Sequence, residues 1–437
     1  MKLHRVCVEG LFGTFNHIIL FHEEPKITLL LGRNGLGKTV MLKMIDSVFS
    51  GDLSYLKKVK FDAFKLYFDN DTILNFKCTK EKNGNSINII YSVLNEKAKK
   101  ISLNKLRVDQ ISANKKIDAI RNDILHFYMF SHLLDSKSSD KRDYNDMWEN
   151  VKSIETIEQS SSFPTWLSDI KTIYDSHFIS TDRMLKPLKD KENSSPLGFR
   201  RTVMSYSDDI KAKYQSVLAK SSEVSTTLDR SFPDRVMELF GKGGLSRHSV
   251  ITLSEKLEDL SKQHELLEKI GLLKSDEANL PFKGNILNND TVAILSMYVD
   301  DSLQKLEPYL MFARKLEVFI KLLNSRFLYK SIKFSQEKGF VVYSTMTSDE
   351  IQLTDLSSGE QHLFILYYEL LFKYDSKSLL MIDEPEISLH VSWQKRFIED
   401  LLDIIQLNPM TILMATHSPN LIGPYWNLVN ELKCDID

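Results

Sequence analysis

The stretch Gly32-Arg33-Asn34-Gly35-Leu36-Gly37-Lys38-Thr39 constrains this chain more than any other. It fits G-x-x-x-x-G-K-[ST] and lies between an apolar run, Ile27 to Leu31, and a segment of helical apolar spacing, Val40 to Val48. Strand, glycine-rich turn and helix in that order make a βα unit whose turn can wrap a phosphate. Glycines let backbone N–H groups close on the oxygens, and the helix N-terminus adds positive potential. On this reading Lys38 neutralises the β and γ phosphates of ATP, and the Thr39 hydroxyl ligates Mg²⁺. The alternative is a glycine-rich turn without a ligand.

A partner for that loop comes late in the chain. Leu379-Leu380-Met381-Ile382 is a short apolar run that reads as a buried strand and delivers Asp383 and Glu384 at its C-terminal end. Ligands of open α/β sheets bind at that edge. Asp383 would hold the water shell of Mg²⁺, and Glu384 would orient or deprotonate an attacking water. By itself an acidic strand end is equally well structural; the glycine-rich loop changes the balance.

Two further segments decide the class. Leu356-Ser357-Ser358-Gly359-Glu360 opens a helical pattern some twenty residues before the acidic pair, and Thr416-His417-Ser418 follows an apolar run some thirty residues after it. With these four motifs in this order, the chain resembles the ABC-type ATPases, whose signature is L-S-G-G-Q and whose switch histidine ends the next strand. Asn34 and Gly35 match the G-x-N-G-x-G-K-[ST] form of the SMC and RecF branches. The resemblance implies homo-oligomers, at least dimers, with composite sites. Ser357, Ser358, Gly359 and Glu360 of one subunit would approach the nucleotide held by Gly32 to Thr39 of another, and His417 would contact the γ-phosphate from the loop's own subunit. Read alone, Ser357 or Ser358 followed by Glu360 could simply cap a helix, and His417 could be a satisfied strand-end histidine.

Asp383-Glu384-Pro385-Glu386-Ile387-Ser388-Leu389-His390 ends in His where transporter ATPases have Asp, and resembles the D-E-P-E-x-x-L-H of the overcoming-lysogenisation-defect (OLD) and related AAA-like ABC ATPases. Members of that group often continue into a Toprim nuclease. Only 20 residues follow His417, so the expectation is that this chain carries no nuclease. The layout is most similar to the ATPase subunit of PARIS-type antiphage systems, with RloA-like and Septu- or retron-associated ATPases as close relatives. That resemblance implies a sensor and scaffold that controls a separate effector protein, a Toprim-type nuclease, in response to a phage-encoded trigger. The rival readings are a RecF- or SMC-like repair ATPase that clamps DNA, and a transporter motor.

The expected fold class is therefore α/β: a P-loop ABC-type ATPase head with an antiparallel β subdomain and a large α-helical insertion. Residues 1–95 would form an N-terminal ATPase lobe with a meander from Phe61 to Leu94. Residues 96–330 would be the insertion, with a core strand returning near 177–183, and 331–437 the C-terminal lobe. Lys38 and Ser357 stand 319 positions apart, far more than in transporters. Within the insertion, Leu253, Leu257, Leu260, His264 and Leu267 keep a 4-3-4-3 spacing that Gly271 interrupts, which reads as a packing seam. A further helix is expected from Asn289 towards Arg326, through Pro308. A hairpin should span Ile332 to Tyr343, and helices should cover about 360–373 and 391–406.

Composition bounds the rest. Lys and Arg number 57 against 59 Asp and Glu, a net charge of -2, so no whole-protein basic field announces nucleic acid. Any such contact would be local, and Lys97 to Lys116, with seven Lys or Arg against Asp109, is where it could be; a solvated loop is the plainer account. Asp182-Arg183 could bring an arginine to the nucleotide or form a salt bridge. Phe12 and Phe15 could stack on adenine or sit in the core. Cys7, Cys78 and Cys434 have no metal-ligand spacing, and with no apolar run long enough to span a membrane and no signal-peptide pattern, the expected location is the cytoplasm.

Overall fold

The computed structural model describes residues 1–81, 84–93, 98–103, 169–170, 172–179, 185–187, 199–241, 250–273 and 289–433. Asp182, Arg183, Cys434 and all but six residues of the basic stretch 97–116 lie outside them. The chain divides into two compact units, Met1–Asp182 with Tyr374–Asp437, and Arg183–Lys373.

The first unit holds a five-stranded parallel sheet in the order Val429–Glu431, Ile27–Leu31, Thr411–Thr416, Ser378–Asp383, Asp175–Ile179. The central strands are nearly continuous apolar runs because both faces are covered. One cover is the helix Lys38–Ser50, which buries Met41, Leu42, Met44, Ile45 and Val48. Register decides where the chemistry falls. Leu31 pairs with Thr416, and Asp383 pairs with Ala415. The ends of the strands before Gly32, His417 and Glu384 therefore finish at one edge of the sheet.

A six-stranded antiparallel sheet completes this unit, ordered Phe15–Leu20, Leu3–Leu11, Ala63–Phe68, Ile73–Glu81, Gly84–Ser92, Lys99–Ser102. The alternation that predicts a meander is realised, with Phe64, Leu66 and Phe68 turned inward. Inward residues of this sheet share one core with the Lys38–Ser50 helix, including Val6, Val8, Phe64, Met41 and Leu42. Leu30 of the apolar strand ending in Leu31 faces that same core.

In the second unit, Leu253, Leu260 and Leu267 of helix Val250–Ile270 are buried, and that helix packs on Asn289–Asn324. Gly271 ends it as a left-handed cap at φ +85°. Its amide donates to Glu268 O and that of Leu272 to Leu267 O, at 2.9 and 2.8 Å. The hairpin Lys330–Ser335 with Gly339–Ser344 forms as expected and gains a third strand, Glu350–Ile351. Helix Ser358–Phe372 is seated by Phe364, Tyr368 and Phe372 against Phe319, with Tyr206 stacked on Tyr368 at 4.4 Å. The Tyr368 hydroxyl donates to Asp209 at 2.6 Å, and Lys373 pairs with the same carboxylate at 2.8 Å. That seat fixes the helix opened by the Leu356 to Glu360 segment.

Two local features depart from expectation. The helix expected over about 391–406 is broken into Val391–Gln394 and Phe397–Leu407. Gln394 is buried, and its side-chain amide donates to the carbonyls of Glu386 and Leu389, which holds the first turn against the preceding loop. The strand Val429–Glu431 was not foreseen, since three residues, two of them polar, show no periodicity. Among the described residues no helix is long and apolar enough to cross a membrane.

Candidate active site

The glycine-rich loop is braced from within and left open at its tip. Gly37 has φ +87°, and a Cβ there would lie 2.6 Å from Leu11 Cδ2, so only glycine allows this approach. Gly35, at φ +90°, has nothing within 4 Å of where a Cβ would stand. No side chain caps the helix that follows, and its first-turn amides are left for an anion. Lys38 is buried at 4% exposure, with Nζ donating to Gly32 O at 2.7 Å and Arg33 O at 3.3 Å. His17 Nε2 lies 2.9 Å from Leu36 O. Phe12 is exposed beside the loop, in edge contact with half-buried Phe15.

Asp383 stands where its strand runs out. Burial pushes its carboxyl above the ordinary value; the Thr39 hydroxyl, bonded to it, opposes the rise, Glu384 adds to it, and Lys43 and Lys38 oppose it. Its Oδ1 is buried without a hydrogen-bond partner. An orphaned carboxylate oxygen beside a threonine hydroxyl fits a hard cation, and Mg²⁺ takes one or two protein oxygens and completes its shell with water and phosphate. Among the described residues no group of three His, Cys, Asp or Glu could hold a metal ion by itself.

Glu384 has φ +43° and ψ +56°, a left-handed conformation costing a non-glycine residue about 1–3 kcal/mol. Its amide donates to Ala415 O at 2.9 Å, so the neighbouring strand holds it there. His417 Nδ1 lies 3.7 Å from the Glu384 carboxylate and 3.1 Å from that of Glu386.

Residues 1–422 match the family described as AAA ATPase domain. The chain belongs to that family. A comparison with curated proteins finds no match. Solved structures similar to it include the Smc head domain with an extended coiled coil bound to the C-terminal domain of ScpA from Pyrococcus furiosus, at 12% identity, covering 99% of this chain and 94% of that one, with a TM-score of 0.35. The SMC head domain from Thermotoga maritima is similar at 9% identity, 99% and 94% coverage and a TM-score of 0.35. The SmcHead bound to the C-winged helix domain of ScpA follows at 10% identity, 97% and 91% coverage and the same TM-score.

This AAA ATPase domain brings Gly32 to Thr39, Asp383, Glu384 and His417 to one sheet edge of its first unit, while the signature segment belongs to the second. There Ser357 is the N-cap of a capping box: its amide and hydroxyl donate to Glu360 Oε2 at 2.7 and 2.9 Å. Lys330 pairs with the same oxygen at 2.7 Å. Burial alone would raise the Glu360 carboxyl, but Lys330 and Ser357 outweigh it and hold it below its ordinary value. Ser357 and Ser358 are exposed, Gly359 is half-buried, and Glu360 is buried and committed to its neighbours. The capping reading of this segment is thus realised, and it leaves a helix N-terminus with two exposed hydroxyl residues.

Glu386 is the residue that sequence reasoning passed over. It is buried, and Oε1 accepts from Thr416 Oγ1 at 2.7 Å and from the His417 amide at 2.8 Å. The one available signal was a third carboxylate in Asp383-Glu384-Pro385-Glu386. Pro385 opens a single 3₁₀ turn, Pro385–Ser388. That turn carries Glu386 back toward the sheet edge.

Proposed function

We propose that this AAA-family ATPase binds ATP with Mg²⁺ at the sheet edge of its first unit and hydrolyses it at sites completed by a second copy, and that it serves as sensor and scaffold controlling a separate nuclease in an antiphage complex. The observation that carries the site is the orphaned Asp383 oxygen beside Thr39, at the mouth of a loop whose amides and lysine suit phosphate. When bound, Mg²⁺ would neutralise charge on the β and γ phosphates.

The chain's own residues divide the work. Lys38 exchanges the loop carbonyls for phosphate oxygens, and the Gly32 to Gly37 amides orient them. Thr39 and Asp383 would hold the ion. Glu384, aimed by its left-handed backbone, orients the attacking water and takes its proton. His417 contacts the γ-phosphate. From a second copy, Ser357, Ser358 and the Gly359 backbone approach the nucleotide at a helix N-terminus, with Glu360 and Lys330 keeping that end in shape.

Complementation tests the composite arrangement. Lys38→Ala and Ser357→Arg chains should each be inactive, and mixing them should restore a minority of working sites in mixed oligomers verified by tag pull-down. Mixed oligomers without activity would sink the trans arrangement or the independence of the sites. The division of labour has its own check. The purified chain should hydrolyse ATP and leave DNA and RNA intact, with toxicity confined to cells that hold the neighbouring effector gene and the phage trigger. Metal-dependent cleavage of nucleic acid by the isolated chain, persisting in Glu384→Gln, would overturn it.

A further inference from the structure

Glu386 has no part in the roles above, although its side chain is only 4% exposed and anchored where the Thr411–Thr416 strand ends. One oxygen serves three groups: the Thr416 hydroxyl at 2.7 Å, the His417 amide at 2.8 Å and His417 Nδ1 at 3.1 Å. The other, Oε2, is buried without a partner. Around it the turn is cross-tied to the strand end. Gln394 donates to Glu386 O at 3.2 Å, and the Ser418 hydroxyl donates to Gln394 Oε1 at 3.0 Å.

A carboxylate only accepts, so an imidazole nitrogen 3.1 Å from its oxygen is favourable when that nitrogen carries the proton. Glu384 lies 3.7 Å from the same nitrogen, beyond hydrogen-bond reach. We propose that Glu386 is a positioning residue: it fixes His417 with Nδ1 protonated and turned toward itself, so that Nε2 faces the ligand and, when the ring carries both protons, donates to a phosphate oxygen. This rests on the reading of Glu384 and His417 as parts of the ATP site. Without Glu386 nothing holds the proton on Nδ1 or the ring in place, so the neutral imidazole takes its proton on Nε2 and leaves the orientation that serves the ligand.

Two measurements on the full chain separate this inference from the reading beneath it. ¹⁵N-histidine NMR reports the tautomer of His417 without turnover, its signals assigned by their loss in His417→Gln. The wild type should show the proton on Nδ1. Glu386→Ala should move it toward Nε2, and Glu386→Gln, whose amide oxygen still accepts, should keep it on Nδ1.

Kinetically, Glu386→Ala should lower kcat by about tenfold or more with KM for ATP within about twofold, as for loss of an outer residue that orients a site ligand. Glu386→Gln should recover most of that loss. In a His417→Gln background, Glu386→Ala should cost little more. An unchanged His417 tautomer in Glu386→Ala, or an undiminished kcat loss in the His417→Gln background, overturns the proposal. A wild-type chain without ATP turnover would instead sink the proposed function, and the tautomer would still decide the role of Glu386.

Discussion

Calorimetric titration of ATP into Lys38→Ala should show no binding at concentrations that saturate the wild type. Lys38 is 4% exposed, and its ammonium already has two partners, Gly32 O at 2.7 Å and Arg33 O at 3.3 Å. The charge therefore sits at the loop before any ligand arrives and need only turn from carbonyl to phosphate oxygen. Charge-assisted hydrogen bonds contribute about 1.5–3 kcal/mol each. Losing two of them, about 3–6 kcal/mol, lowers affinity by about a hundredfold or more, since each 1.4 kcal/mol is tenfold. Alanine also strips a brace from the loop, so a melting curve should accompany the titration. An affinity within a few-fold of wild type, with the fold intact, would remove the loop from the phosphate-binding role.

Glu384→Gln should separate binding from turnover, with hydrolysis falling by about 10²–10⁴ while ATP still binds. Glutamine keeps the shape and the hydrogen bonding but cannot take a proton from water. The backbone argues that this carboxylate, and not Glu386, is the base. Glu384 is held at φ +43° by its bond to Ala415 O, and backbone strain of this kind clusters at active sites. Glu386 is buried, and one of its oxygens already serves the Thr416 hydroxyl and the His417 amide. Single-turnover measurement with excess enzyme would read the chemical step directly. Wild-type turnover in Glu384→Gln would place the base elsewhere, and Glu386 would be examined next.

What could be read early was what neighbouring residues decide among themselves. Gly37 must be glycine because its φ is +87° and Leu11 crowds it; a pattern of glycines between an apolar run and a helix announces that need. Ser378–Asp383 and Thr411–Thr416 were legible because strands covered on both faces become apolar throughout. The Leu253, Leu260 and Leu267 seam showed in its spacing for the same reason, since one helix face must be dry. Val429–Glu431 was silent because a short edge strand needs no periodicity.

The sequence by itself thus determined the local pieces: a loop shaped for phosphate, a strand ending in two carboxylates, a helix start with its own cap, and a histidine closing a strand. Only the tertiary structure decided that the phosphate loop, the acidic pair and His417 share one edge, because that follows from pairing Leu31 with Thr416, 385 positions away, and Asp383 with Ala415, 32 positions away. It alone decided that Glu386 faces His417, 31 positions away, and that Glu360 answers to Lys330, 30 positions before it. Backbone preference and apolar periodicity act over a few residues and leave a mark in the order of amino acids. A hydrogen bond between distant carboxylates, hydroxyls and imidazoles depends on strand register and on which way a turn points, and neither leaves a local trace.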